Sequence, residues 1–332
     1  MENGQILVYL DHNVLDLMTK GDPLRIKNIL KENDLTPVYS NESLKEIQRS
    51  VGYVDKFIDV LDVIEAKYIE PILDRDFKQT GQARLNEISP ELCYRNFLEN
   101  QNNNEYGDFG ITKFLMKFYG GQQESSFSDI FEQGAIDLQK HLKELLVGVD
   151  SLSVNKSVDV ELLEKLIDEL PVLMQELTSP MAKELDEQEL SPVSAFETAT
   201  ASGAKVLKNI NPPNVIEKIW QKLSKVDGFS GVDMDSFFGI RPDSFEVNQD
   251  RERTIQEKVN AVYHQLNIIG YYRDSKMKKD RRFRASFSDM THAGVASFCH
   301  WFFCKDEDLV MKAAAAYEYI GVQTKIVHFK DK

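Results

Sequence analysis

The sequence predicts an α/β protein: a parallel sheet of about five strands flanked by helices and interrupted by a long, mostly helical insertion. Three observations predict it. Short apolar runs stand at both ends of the chain, Gln5 to Leu10 and Cys299 to Cys304, as in strands covered on both faces. Helical signals separate each run from the next strand. Between the two ends the sequence turns to acidic amphipathic segments with no strand pattern.

In order, the first strand ends at Leu10, and a helix over roughly 13 to 31 is broken or restarted by Gly21-Asp22-Pro23. Leu35 to Tyr39 is the second strand. Ser40 and Asn41 open a helix through about 65, and Lys67 to Ile72 makes a third short strand. From about 76 to 250 the chain reads as helical. Ile136 to Val147 and Val160 to Leu177 are amphipathic, and Pro212-Pro213 precedes a helix with Ile216, Ile219, Trp220 and Leu223 on one face. Ile255, Val259, Val262, Leu266 and Ile269 form another stripe, read as core packing. The strand pattern then resumes with a helix from Asp289 to Phe298, a strand from Cys299 to Cys304, a helix from Leu309 to Tyr319 stopped by Gly321, and a last strand from Thr324 to Phe329. The expected layout is a discontinuous α/β domain of 1–75 and 250–332 around an insertion at 76–249. Such an insertion is a place for a homo-oligomer contact or a regulatory partner.

The formal net charge of −14 argues against broad, nonspecific attraction to nucleic acid, so a polyanion would need a local basic patch or bound cations. Cys93, Cys299 and Cys304 form neither a disulfide framework nor a zinc motif, so a reducing cytoplasm is expected. Neither a signal peptide nor a membrane span is expected from the pattern of apolar runs.

Chemistry is signalled at the strand ends. In open α/β sheets ligands bind beyond the carboxyl ends of the strands, where Asp11 and Asp306 follow apolar runs. Glu46 early in the helix opened by Ser40 and Asn41, and Asp289 at the expected start of a late helix, bring the acids on that edge to four. Each has a structural alternative: Asp11, Asp289 and Asp306 suit helix N-caps, and Glu46 suits a capping box with Ser43. Asp308 is either a further ligand or a first-turn charge. His292, one turn beyond Asp289, would touch a phosphate, orient a carboxylate or simply pack.

These residues, in order, resemble the PIN-domain nucleases. Asp11 with Asn13, then Ser40, Ser43 and Glu46, then Asp289 with Ala293 and Ala296, and finally Cys304-Lys305-Asp306 match that family's pattern over roughly residues 1 to 75 and 250 to 332. Cys304 replaces the usual threonine, and the insertion exceeds that of compact members. The resemblance implies a metal-dependent endonuclease, acting on RNA rather than DNA. Asp11, Glu46, Asp289 and Asp306 would be catalytic ligands of Mg²⁺ or Mn²⁺, joined by Asp308, with Asn13, Ser40, Ser43 and His292 near the substrate. The chemistry is coherent, because clustered carboxylates stay ionised together only when hard cations neutralise them. The length of the insertion suits a regulated stress or antiphage effector.

A basic run from Arg273 to Arg284 includes Lys278, Lys279, Arg281 and Arg282 and is expected to guide phosphates, with Tyr271, Tyr272 and Phe283 available to stack on bases. Its alternative is a solvated loop. Two rival readings remain: a haloacid-dehalogenase-type phosphatase, which wants a second acid where Asn13 stands, and a non-catalytic binding scaffold on the same fold.

Overall fold

The computed structural model describes residues 4–103, 109–150, 160–241, 251–274 and 277–330. The chain divides into two compact units. The first comprises Met1–Asn103, Thr200–Asp274 and Arg284–Lys332, and the second Asn104–Ala199 and Ser275–Phe283.

The first unit opens with β1 (Ile6–Leu10), α1 (His12–Thr19), α2 (Ile26–Glu32), β2 (Leu35–Tyr39), α3 (Asn41–Arg49) and α4 (Val54–Val63). The helix expected through residue 65 is thus two helices. The turn between them includes Gly52 at φ +82°, a left-handed conformation that favours glycine. There follow β3 (Lys67–Leu73), β4 (Gln79–Asn86) and α5 (Pro90–Asn103). In the sequence β4 falls in the expected insertion, yet it pairs antiparallel with β3 through a tight turn in which the Asp74 carboxylate accepts from the backbone N–H groups of Asp76 and Lys78, both at 2.9 Å. In its run Gln-Thr-Gly-Gln-Ala-Arg-Leu-Asn only Ala83 and Leu85 give an apolar face, against the core, because it is a half-exposed edge strand.

The second unit holds α6 (Ile111–Phe118), α7 (Phe127–Asp150), α8 (Val160–Asp186) and nearly all of α9 (Pro192–Thr200). Phe114 gathers Phe118, Phe127 and Phe131 around it, with ring centroids 5.3–6.2 Å away. The chain returns to the first unit with α10 (Ala204–Leu207), α11 (Val215–Leu223), α12 (Met234–Phe237) and α13 (Ile255–Ile269). Then come α14 (Asp280–Ala296), β5 (Trp301–Cys304), α15 (Glu307–Ile320) and β6 (Lys325–His328). Among the described residues no helix is long and apolar enough to cross a membrane.

The six strands form one mixed sheet in the order β4-β3-β2-β1-β5-β6, parallel except for β4. The sixth strand is the addition to the five expected. Side chains alternate across the central strand, as a period of two requires. Val8 and Leu10 join Leu15, Leu44, Phe57 and Phe303 on one face, while Leu7 and Tyr9 join Val259, Ala293, Phe302 and Ala313 on the other. Both faces are covered, and the carboxyl ends of β1 and β5 meet at one edge.

Candidate metal centre

Asp11 is fixed by its backbone: its N–H donates to the Phe303 carbonyl at 3.0 Å, anchoring the end of β1 to β5. It holds the N-cap position of α1, but its carboxylate accepts no capping bond. That leaves a carboxylate only 1 % exposed with the Asn13 amide donating at 3.3 Å and the Cys304 thiol at 3.7 Å. Burial holds that thiol well above the ordinary range, keeping it protonated and able to donate.

Glu46 comes from α3. The capping box there is Ser40 with Ser43: Ser40 Oγ accepts from Glu42 N–H at 3.2 Å, and Ser43 Oγ accepts from Ser40 N–H at 3.1 Å. Glu46 is therefore free of the capping role the sequence allowed it. Its Oε2 lies 2.9 Å from His292 Nε2 and 3.8 Å from His12 Nδ1. His292 is wholly buried on α14, and its Nδ1 lies 2.7 Å from the Tyr9 hydroxyl, which in turn is 2.7 Å from Ser40 Oγ and 3.3 Å from Ser43 Oγ. Asp11, Glu46 and His292 each offer a ligand atom, and these atoms lie within 4.8 Å of one another. This buried Asp-Glu-His cluster could hold a metal ion.

Burial pushes the Asp11 carboxyl up to about 6, with His292 opposing the shift and Glu46 and Asp306 adding to it. Burial also works against the charges of Glu46 and His292, but each overrides it: His292, His12 and Arg49 lower Glu46, while the oxygens of Tyr9, Glu46 and Asp11 hold His292 well above its usual value. Asp289 is raised far above the carboxylate range by burial, then by Asp274 and Asp11, against the pull of Lys312. Burial and Asp306 raise Asp308. The negative charge exceeds the positive, which is the condition a bound cation relieves.

Residues that the sequence did not single out belong here, among them Lys312, Asn267 and Asp274. Lys312 is fully buried in the alanine-rich α15, with Nζ 2.7 Å from Asp274 Oδ2, donating to Asn267 Oδ1 at 3.3 Å and lying 4.6 Å from the Tyr263 ring centroid. Asn267 also accepts from Asp274 N–H at 3.1 Å and donates to Ser286 Oγ at 2.7 Å, and that hydroxyl donates to Asp274. A lone lysine in Leu309-Val310-Met311-Lys312-Ala313-Ala314 was the available signal, since an isolated cation on a buried face needs a partner.

Several expectations are corrected. Asp289 lies in the middle of α14, not at its start, because the helix begins at Asp280, nine residues earlier. Asp306 does cap α15, accepting from Leu309 N–H at 3.0 Å, and it also raises Asp11 and Asp289 by charge. Ser40, Ser43 and His292 are too deeply buried to meet a substrate directly and act instead by holding Tyr9 and Glu46. Asn13 is exposed and Asp308 partly exposed. Lys278, Lys279, Arg281 and Arg282 are exposed in the second unit, the last two in the first turn of α14 rather than in a loop. Tyr271, Tyr272 and Phe283 are buried and cannot stack on bases, and Arg273 donates to the carbonyls of Asn267 and Ile268, closing the end of α13. Lys276 lies outside the described residues.

Comparison with known protein families, with curated proteins and with solved structures finds no match.

The Glu46–His292 pair gives a pH-dependent prediction for cation-free protein. The depressed Glu46 contributes stability above the ordinary carboxylate pKa, and the raised His292 contributes below the ordinary imidazole pKa and loses it as pH rises through its folded value. The pair therefore stabilises fully from about pH 5 to 6.5 and progressively less above. Glu46→Gln keeps a hydrogen-bond acceptor for His292 but removes the charge, and is expected to cost about 1–2 kcal/mol in that window. Thermal unfolding in EDTA between pH 5 and 9 checks this. Equal losses at both ends would mean that the pair is neutral.

Proposed function

We propose that this protein is a PIN-like, metal-dependent endonuclease that hydrolyses phosphodiester bonds, RNA in preference to DNA. The observation that carries the reading is the convergence of Asp11, Glu46 and His292, with Asp289 and Asp306 electrostatically coupled to Asp11, at the carboxyl edge of β1 and β5. The order of these residues, with Asp11 and Asp306 just past strand ends, supports the resemblance drawn from the sequence, from which Asp289 departs by lying within α14; the preference for RNA comes from that resemblance.

The donor set suits a hard divalent cation, Mg²⁺ or Mn²⁺. Bound there, the cation would supply Lewis acidity toward phosphate and a water of lowered pKa. Asp11, Glu46 and Asp289 would hold it, with Asp306 divided between this role and its cap. His292 orients Glu46 through Nε2 and is itself held by Tyr9, as outer hydrogen bonds generally orient a ligand. Lys312 pairs with Asp274 and, by its charge, opposes the rise of Asp289. The test is cleavage of end-labelled single-stranded RNA in Mn²⁺ or Mg²⁺ and in EDTA. Cleavage that depends on the cation is expected, and cleavage undiminished in EDTA removes the mechanism.

The exposed cations Lys278, Lys279, Arg281 and Arg282 are the proposed phosphate guide. Replacing all four by Ala in a cleavage-dead background should weaken single-stranded RNA binding across sequences. It should also flatten the dependence of log K on log[salt] by about 0.7 for each phosphate that the variant no longer neutralises. An unchanged salt slope would leave the four side chains as solvating charge.

A further inference from the structure

Helix α8 has two apolar faces, of which one is used inside the second unit. Gln139 of α7 donates to the carbonyls of Ile167 and Asp168 at 3.0 and 3.2 Å, and Asp186 accepts from Phe127 N–H at 2.6 Å, so α7 and α8 form an antiparallel hairpin. Ile167 and Ala182 are withdrawn from solvent on that side. The second face is a stripe of Leu162, Leu166, Leu173 and Leu177, which fall within about 60° of arc at 3.6 residues per turn. They are 54 %, 49 %, 44 % and 78 % exposed. Pro171 projects from the far side of the helix and does not interrupt the stripe.

The spacing of this stripe is four, seven and four residues, the same in either direction. A two-fold axis crossing α8 between Glu169 and Leu170 would place Leu162 against the partner subunit's Leu177 and Leu166 against the partner subunit's Leu173. Self-complementarity of this kind is what an isologous interface requires. The charges agree. Lys165 and Glu176 stand on the same flank of the stripe, and in this register Lys165 falls within about half a turn of the partner subunit's Glu176, twice by symmetry. With Leu163 and Met181, the four leucines offer on the order of 450 Å² of exposed apolar surface, roughly the apolar share of the ~800 Å² that each partner of a stable complex buries.

We propose that the protein forms a two-fold dimer through antiparallel pairing of α8 with its copy, making a four-helix arrangement from two α7–α8 hairpins. This inference is independent of the proposed nuclease activity.

Light scattering on the full chain tests it. At about 100 µM the expected mass is twice 38.1 kDa, and Leu166→Glu with Leu173→Glu should return it to 38.1 kDa with unchanged circular dichroism. Oxidative cross-linking reports the register without disturbing the leucines, since the native cysteines are buried. Glu169→Cys, beside the axis, should cross-link to its own copy. Gln175→Cys, on the same helix but about 16.5 Å along it from its copy, should not. A monomer at 100 µM, a dimer that survives the double substitution, or equal cross-linking of the two cysteines would each overturn the proposal.

Discussion

Asp11→Asn is expected to reduce RNA cleavage by at least about 10³-fold while leaving the fold intact and, in EDTA, more stable than the wild type. The first effect follows from removing a ligand charge at almost constant volume, so that the Lewis-acid contribution is lost. The second follows from the sign of the shift. A buried carboxyl raised to about 6 binds its proton more tightly folded than unfolded, so its contribution is most favourable at low pH and falls as pH rises from about 4 to 6. Above that window the ionised Asp11 costs about 3 kcal/mol in the cation-free protein. Asn carries no such cost, so the variant's advantage should be present at pH 7 and vanish near pH 4. Activity assays and thermal unfolding at the two pH values check both halves. A variant equally stabilised at pH 4 would show that charge is not the cause.

Lys312→Met is expected to be strongly destabilising, by about 3–5 kcal/mol, because it strands Asp274 in the interior beside Asp289. For a unit of this size that is a fall in Tm on the order of 10 °C. Lys312→Met combined with Asp274→Leu removes both charges and should recover most of the loss, since the penalty lies in the unpaired ion rather than in the missing pair. Denaturant unfolding of the two variants decides the matter. A loss below about 1 kcal/mol for the single variant would mean that Asp289 and Asp274 find another counter-charge.

The parts of this architecture that burial dictates were legible in the sequence. Leu7 to Leu10 is buried from both sides, so its composition alone marks a central strand, and the acid that ends it marks the edge where chemistry is placed. The stripe of α13 was nearly as plain: Val259, Val262, Leu266 and Ile269 are buried, while Ile255, in the first turn, is 53 % exposed. What escaped was structure whose residues serve two purposes. β4 hides because an edge strand needs only a short apolar face, here Ala83 and Leu85. The start of α14 hides because Asp280 to Arg284 carry charges that read as a solvated loop, although charged residues suit an exposed first turn just as well. Tyr9 reads as core, and its ring is core, but its hydroxyl joins Ser40 to His292. Lys312 and Asp274 lie 38 positions apart, and no local pattern announces a pair that only the fold brings together.

The claim on which the rest depends is that Asp11, Glu46 and their neighbours bind a divalent cation, and a calorimetric titration of Mn²⁺ into the full chain tests it without any assumption about substrate. The account predicts saturable binding to the wild type, accompanied by a rise in Tm, and loss of both in Asp11→Asn. Absence of binding at millimolar Mn²⁺, or binding of equal affinity and stoichiometry in the variant, would contradict it.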